Sequence, residues 1–435
     1  MSEIQTVEVV LPEWAMHRSL DEMGFCREFL FLYPMQYVQG VFYSTKGSLP
    51  ESKVRKMVFD YLSSFVTTGL PKKVSSLMDV LKMQCQQEHL AIQETSIHCA
   101  NGVYNLSTRQ FTPKGEVCCY HLPVDFNPEA PEPKLWKSFL SELLNPEDIL
   151  TLQEFMGYCL VPANYAQKML IIIGKGGEGK SRIGIVLQHI LGDCMCNGSL
   201  AKVESSPFAR ADLQGKLLMV DDDLRLEALT NTNYIKSLVT AEQPMDLERK
   251  GVQSYQGILH CRFMAFGNGN LRSLHDRSYG FFRRQIILTT KERRPDRVDD
   301  PFLAQQMKTE AEGILQWMLE GLCRLLGNDM HFTISPQARA NMDSAIAEGN
   351  NVVDFMKSEG YFRPDPTAEI TSRSLYSLYK DWCDDNILPA LSTKSFTSFL
   401  IQNGGDYGLT YSKTLDGGNG RKVRGFRGVR KCYHV

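Results

Sequence analysis

Apolar residues recur along the chain with two different periods. Between residues 168 and about 290, four short runs, "KMLIIIG", "KLLMVDDD", "CRFMAFGN" and "RQIILTT", alternate with helical stretches. Continuous apolar runs of this length predict strands covered on both faces, hence a parallel sheet between helices. Upstream, "LWKSFLSELLNPEDILTLQEFMGYCLV" carries Trp136, Phe139, Leu140, Leu150, Leu152, Phe155 and Met156 at helical spacing, which predicts a helical collar over 134–168. Downstream, "PFLAQQMKTEAEGILQWMLEGLCRLLG" predicts more helix.

The flanks differ from this centre. Residues 1–130 mix helical runs such as "ESKVRKMVFDYLSSFVTTGL" with strand-like pieces, "NGVYNL" and "VCCYHLPVDF", an α+β pattern of unknown role. "DFNPEAPEPK" is proline-rich and acidic and reads as a linker. From residue 352 to 435 the order predicted is helix, helix, helix, hairpin, with "YFRPDPTAE" as a break. Leu375, Leu378, Tyr379 and Trp382 share one helical face; the next helix starts at a Ser392 or Thr393 cap, buries Phe396, Phe399 and Leu400, and stops at Gly404.

Composition narrows the classes. The 435 residues, 43% hydrophobic and 23% charged, suffice for two to four domains with their own cores. With a formal net charge of -2, attraction to a polyanion has to come from local patches. One patch stands out at the C-terminus, where Lys413, Arg421, Lys422, Arg424, Arg427, Arg430 and Lys431 are opposed in sequence only by Asp416. Placed on a hairpin after three helices, this is the order of a winged-helix module, whose third helix enters a major groove. Lys394, Thr397, Ser398, Gln402 and Asn403 would face base edges, and the hairpin arginines would track phosphates.

Twelve cysteines stand without a single C-x-x-C pair, so no zinc site is expected and a reducing cytosol fits. The start "MSEIQTVEVVLPEW" has no signal-peptide core, and no run of 18 apolar residues occurs. A cytoplasmic protein with no membrane partner is expected.

The chemistry concentrates at Gly174-Lys175-Gly176-Gly177-Glu178-Gly179-Lys180-Ser181, which matches G-x-x-x-x-G-K-[ST]. Gly174, Gly176, Gly177 and Gly179 let backbone N–H groups turn onto phosphates, Lys180 reaches the β and γ oxygens, and the Ser181 hydroxyl binds Mg²⁺. A carboxylate is then needed at the end of a neighbouring strand. Leu217 to Val220 are expected to form that strand, followed by Asp221 for the metal and Asp222 for the attacking water, or the reverse, with Asp223 as a solvated cap. "CRFMAFGNGN" offers Asn268 or Asn270 as a sensor of the γ-phosphate, Asn268 being nearer the strand; a simple turn is the rival reading. Arg283 and Arg284 precede the last strand, and one of them reaching a neighbouring subunit would be an arginine finger.

In this order, "GKGGEGKS", "LLMVDDD", "MDLERKGVQSYQG", "FMAFGN" and "DRSYGFFRR" resemble the superfamily 3 helicases, an AAA+ branch found in viruses, phages and mobile elements. The collar and "NGVYNLSTRQFTP" resemble the helicase half of poxvirus-type and satellite-phage-type primase-helicases. The resemblance spans about residues 95–330. It implies an AAA+ core over 169–330 and a β-hairpin in "MDLERKGVQSYQG" that carries a basic residue, here Lys250 beside Arg249, into a channel holding single-stranded DNA. Relatives place one Asn and then Leu-Pro after the sensor strand, where this chain has "GNGNLRS". The region before the collar is short for a primase and shows no zinc cluster, so primase activity is not carried over.

The expectation is an α/β, ATP-driven DNA helicase and replication initiator of a phage, prophage or chromosomal island. By that resemblance it would act as a hexamer on one strand, with Mg²⁺ as cofactor and a replication origin as duplex partner, in the cytoplasm of a bacterial host. A nucleotide-switched DNA-binding scaffold that recruits a host helicase is the alternative, and a nucleotide-regulated RNA-binding protein is a third.

Overall fold

In the computed structural model the chain divides into two compact units, Met1–Gly269 with Arg283–Arg339, and Asn270–Phe282 with Ala340–Val435. The structure describes residues 11–16, 19–224, 232–268, 279–293, 298–349, 351–386, 388, 390–416 and 422–432.

The larger unit opens with α1 (Glu22–Leu32), a meander of β1 (Met35–Val38), β2 (Val41–Ser44) and β3 (Gly47–Leu49), then α2 (Glu51–Ser63) and α3 (Leu70–Gln84). These helices close over Trp14, Phe25, Phe29, Val58, Leu62 and Leu81, and Trp14 meets Phe25 edge-on with ring centres 4.9 Å apart. A second meander follows, β4 (Ser96–Cys99), β5 (Gly102–Asn105) and β6 (Gln110–Thr112). "VCCYHLPVDF" is no strand. It makes isolated bonds, Cys118 N–H to the Ser44 carbonyl at 3.1 Å and Leu122 N–H to that of His98 at 2.8 Å, and Pro123 has no N–H with which to continue a ladder.

The acidic proline segment is also no free linker. Phe126 is buried and exchanges hydrogen bonds of 2.9 Å with the Asn101 side chain in both directions, and Asn127 Nδ2 donates to Glu312 at 2.9 Å. Glu310 then caps the next helix, accepting from Leu135 and Trp136 N–H at 3.0 and 2.9 Å. The segment is therefore a strap onto the helix that follows the sheet.

The collar comprises α4 (Lys134–Leu143) and α5 (Pro146–Tyr158). Every apolar residue predicted to be inward is buried except Leu150, 42% exposed, which lies two positions from buried Leu152 and so on the opposite helical face. After the collar come β7 (Met169–Gly174), α6 (Ser181–Leu191), β8 (Met195–Asn197), α7 (Leu200–Ser205), α8 (Pro207–Ala211), β9 (Leu218–Asp221), α9 (Asn233–Thr240), β10 (Met245–Arg249), β11 (Val252–Gly257), β12 (Arg262–Asn268), α10 (Tyr279–Phe282), β13 (Gln285–Thr289), α11 (Leu303–Lys308) and α12 (Ala311–Gly327). Five strands form one parallel sheet in the order β13-β7-β12-β9-β8. Numbered along the chain, that order is 5-1-4-3-2. Met169 to Ile172 and Phe263 to Ala265 are buried on both faces, which is why their runs lack alternation. Three-residue β8 was too short to stand out in the sequence.

Collar and sheet are joined through α12. Leu150, Gln153 and Gly157 of α5 meet Arg324, Gly321 and Met318 of α12, an antiparallel crossing. A Cβ at Gly157 or Gly321 would strike the facing helix backbone, so two glycines set the approach.

In the smaller unit, α14 (Asn351–Lys357) follows α13 (Pro336–Gly349) and leads to β14 (Phe362–Thr371), α15 (Ser372–Asp385), α16 (Thr393–Asn403), β15 (Thr410–Asp416) and β16 (Lys422–Lys431). The expected break at "YFRPDPTAE" is thus strand β14. It pairs only with β16 in the sheet order β14-β16-β15, with a register shift between Asp365 and Glu369, and an edge strand tolerates Pro364 and Pro366. Phe355, Tyr379, Trp382 and Phe396 form the core, Tyr379 stacking on Phe396 with ring centres 4.6 Å apart. Ser392 is the cap of α16, accepting from Ser395 N–H at 3.2 Å, and Gly404 ends the helix. Phe399 is only half-buried.

Candidate nucleotide site and nucleic-acid surfaces

The phosphate loop lies at the C-terminal end of β7, a central strand, and runs straight into α6. The sheet ends here and its connections diverge, the usual position for a ligand on such a sheet. Gly176, Gly177 and Gly179 have φ of 108°, 81° and 101°, backbone that side chains resist, and together they turn N–H groups inward. Gly174 has no room for a side chain, because a Cβ there would lie 2.5 Å from Thr290 Oγ1 and 2.8 Å from the Glu178 carboxyl carbon. Val220 and Phe266 pack where α6 presents Gly184, which seats the helix start against the sheet.

Inside the loop stands a carboxylate. Glu178, 3% exposed, accepts from the backbone N–H of Lys175, from that of Gly176 at 2.8 Å, and from Lys180 Nζ at 2.8 Å. Burial pushes its carboxyl up, but the Lys180 ammonium and the loop amides outweigh that and leave it below the usual carboxylate range. Lys180 Nζ also donates to Asn268 Oδ1 at 3.1 Å, across the pairing of β7 with β12 that sets Gly174 beside Asn268. Lys180 and Asn268 are therefore together, whereas Asn270 lies outside the described residues. Ser181 starts α6 and is exposed.

The acidic run is offset by one residue from expectation, with β9 at Leu218–Asp221. Asp221 is thus inside the strand and 6% exposed. Its carboxylate accepts from Leu200 N–H at 2.8 Å and from Asp223 N–H at 3.4 Å, and burial pushes the group up despite these bonds. Alternation sends Val220 toward α6 and Asp221 toward the opposite face, at the start of α7. Asp222, beyond the strand, is exposed.

Arg283 and Arg284 lie at the other end of the sheet. Gln285 pairs with Met169 at the start of β7, Met169 N–H donates to the Arg284 carbonyl at 2.8 Å, and Lys168 Nζ donates to that of Arg283. The length of β7, about 17 Å at ~3.3 Å per residue, separates them from this chain's own phosphate loop.

Strands β10 and β11 form the expected hairpin, with Lys250 and Gly251 as its two-residue turn and Gly251 at φ 74°. Lys250 is exposed. Arg249 instead turns back, donating to Gln214 Oε1 at 2.7 Å, an atom that also accepts from Tyr255 Oη at 2.6 Å. Gln214, before β9, thus anchors the hairpin, and no local signal in the sequence marked it.

On the smaller unit, Lys394 on α16 and Lys422, Arg424 and Arg427 on β16 are exposed, while Arg421 lies outside the described residues. The basic strand is not opposed by Asp416 alone. Pairing of β14 with β16 brings Glu369 to Arg427 and Asp365 to Arg430, each at 2.8 Å. No helix among the described residues is long and apolar enough to cross a membrane.

Two family models match parts of the chain. Residues 172–284, from the phosphate-loop strand through Arg284, match a model described as "Family of unknown function (DUF5906)". Residues 37–145 match "D5 N terminal like". Among solved structures, an apo structure of the NrS-1 C-terminal region aligns with TM-score 0.54 at 13% identity, over 94% of this chain and 99% of that one. Its A form gives 0.52 at 11% identity over 93% and 98%, and another A-form structure 0.51 at 12% over 90% and 88%. The chain is thus similar in fold to the NrS-1 C-terminal region along nearly its whole length, and similar over residues 37–145 to the D5 N-terminal-like family.

Proposed function

We propose that this chain is an ATP-driven DNA helicase of the AAA+ superfamily 3 type, serving replication of a phage or mobile element. The observation that carries this reading is the phosphate loop after strand 1 of a parallel sheet ordered 5-1-4-3-2, with Lys180 bonded to an asparagine at the tip of the neighbouring strand 4. The D5 N-terminal-like match and the NrS-1 fold support the replication setting.

The loop fits a phosphate, since its donors already converge on an anion, the Glu178 carboxylate. In the proposed cycle, loop amides and Lys180 bind the triphosphate and Asn268 orients the attacking water. Mg²⁺ would neutralise charge on the phosphate oxygens. Ser181 would hold it together with Asp222, on the α6 side of the sheet, while Asp221, facing α7, fixes that turn. Of the two aspartates, Asp222 thus takes the metal role, and Asp221 takes neither the metal nor the water. Arg283 or Arg284 would act on the site of a second copy, because neither reaches its own, and this calls for a ring. The Lys250 turn would grip one strand in its channel. The smaller unit has the helix-strand-helix-helix-hairpin order of a winged helix, and α16 with Lys394 would meet duplex DNA.

Strand separation of a forked DNA by the purified protein with ATP, run beside Lys180→Ala, tests the reading. Unwinding by the unsubstituted chain alone is expected. ATP-dependent assembly on DNA with no strand separated would overturn it in favour of the scaffold.

A further inference from the structure

We propose that Glu178 is a built-in occupant of the phosphate cradle that raises the affinity threshold for every incoming anion, so that small phosphate anions fail to fill the loop at concentrations where a nucleoside triphosphate does; this rests on the nucleotide reading above. Of the four x positions in G-x-x-x-x-G-K-S, only this one carries an acid, and its carboxylate is deep in the loop. It engages two backbone amides and Lys180, the donors a phosphate would need. Both members of the Glu178–Lys180 pair are buried, with side chains 5% and 7% exposed. A carboxylate and a phosphate cannot share these donors, because two like charges within about 4 Å in a desolvated site repel strongly. Any incoming anion must displace Glu178.

That requirement sets a threshold common to all anions. Inorganic phosphate or pyrophosphate exchanges one set of charge-assisted bonds for a similar set and must also expel a tethered competitor. A triphosphate nucleotide adds contacts beyond the cradle, at Ser181, Asn268 and its own base and sugar, and those offset the displacement. An open pocket beside Glu178, lined by Ser141, Lys291, Arg293 and Asp300, leaves room for the side chain to move. A static role, in which Glu178 only braces the loop, makes the opposite prediction, since removing a brace weakens every ligand alike.

The test measures binding of a fluorescent ATP analogue with Mg²⁺ and its displacement by inorganic phosphate and by pyrophosphate. The full chain, Glu178→Gln, Glu178→Ala and Lys180→Ala are compared, each checked for unchanged circular dichroism. Glu178→Gln keeps the shape and removes the charge, so a folded variant is available if Glu178→Ala is unstable. In both Glu178 variants pyrophosphate and the nucleotide should each bind at least about tenfold more tightly, a change of ~1.4 kcal/mol, because both are relieved of the same displacement. Unchanged or weaker binding of both ligands would overturn the proposal and leave a structural brace. If the unsubstituted chain binds the analogue no better than Lys180→Ala, the nucleotide reading itself fails, and this proposal with it.

Discussion

Glu154 shows how much a single side chain can hold in this chain. It is 1% exposed on α5, and its carboxylate receives Arg324 Nε at 2.6 Å, Thr333 N–H at 2.7 Å and Thr333 Oγ1 at 2.7 Å. Glu154→Ala strands these three donors, each bonded to an ionised acceptor, and should destabilise the larger unit by about 2–3 kcal/mol in chemical denaturation. An unaltered midpoint would mean that Arg324, one-third exposed, simply rehydrates. Residue identity was legible where chemistry is local. The glycine-rich loop is contiguous, so its turn and the start of a helix at Ser181 could be read from spacing alone. The bonds that Glu178 makes were not legible, because they depend on where one rotamer points. Nor were the partners of Arg427 and Arg430, which come from a strand some sixty residues away in the chain.

Among elements, α5 crosses α12 at an approach set by Gly157 and Gly321. Gly157→Ala adds one methyl group against the Met318 carbonyl and the Leu322 amide, and should cost about 1–3 kcal/mol even though alanine favours helix. A thermal midpoint at or above the original would show that the helices slide apart without penalty. The hairpin is a second test. Lys250→Ala changes an exposed turn remote from the phosphate loop in sequence, so ATP hydrolysis without DNA should stay within about twofold while strand separation is lost. Unwinding at the original rate would remove the hairpin from the mechanism. Helices and buried strands were legible from period and length, whereas β14 was hidden by prolines that only an edge position accommodates. The strap at 125–134 resembled a linker because its anchors, Asn101, Glu310 and Glu312, are distant in sequence.

For the molecule as a whole, the division into two compact units makes one truncation informative. Removing residues 340–435 takes away Lys394 and the basic strand together. Duplex affinity should fall at least about tenfold, and its dependence on salt should become shallower as phosphate contacts are lost. Equal affinity with an equal salt slope would exclude the smaller unit as the duplex-binding surface. The sheet order and the collar's attachment to α12 were beyond reach of the sequence, since both join segments far apart along the chain.

The sheet order also governs how the protein emerges from the ribosome. Strand β7 carries the phosphate loop, yet both strands that flank it, β12 and β13, end only at Asn268 and Thr289. At about 5–20 residues per second, the run "MLIIIG" waits on the order of ten seconds for either edge to be covered. During synthesis this segment is therefore a hydrophobic strand without neighbours, and chaperones acting on the growing chain should meet it before the sheet closes.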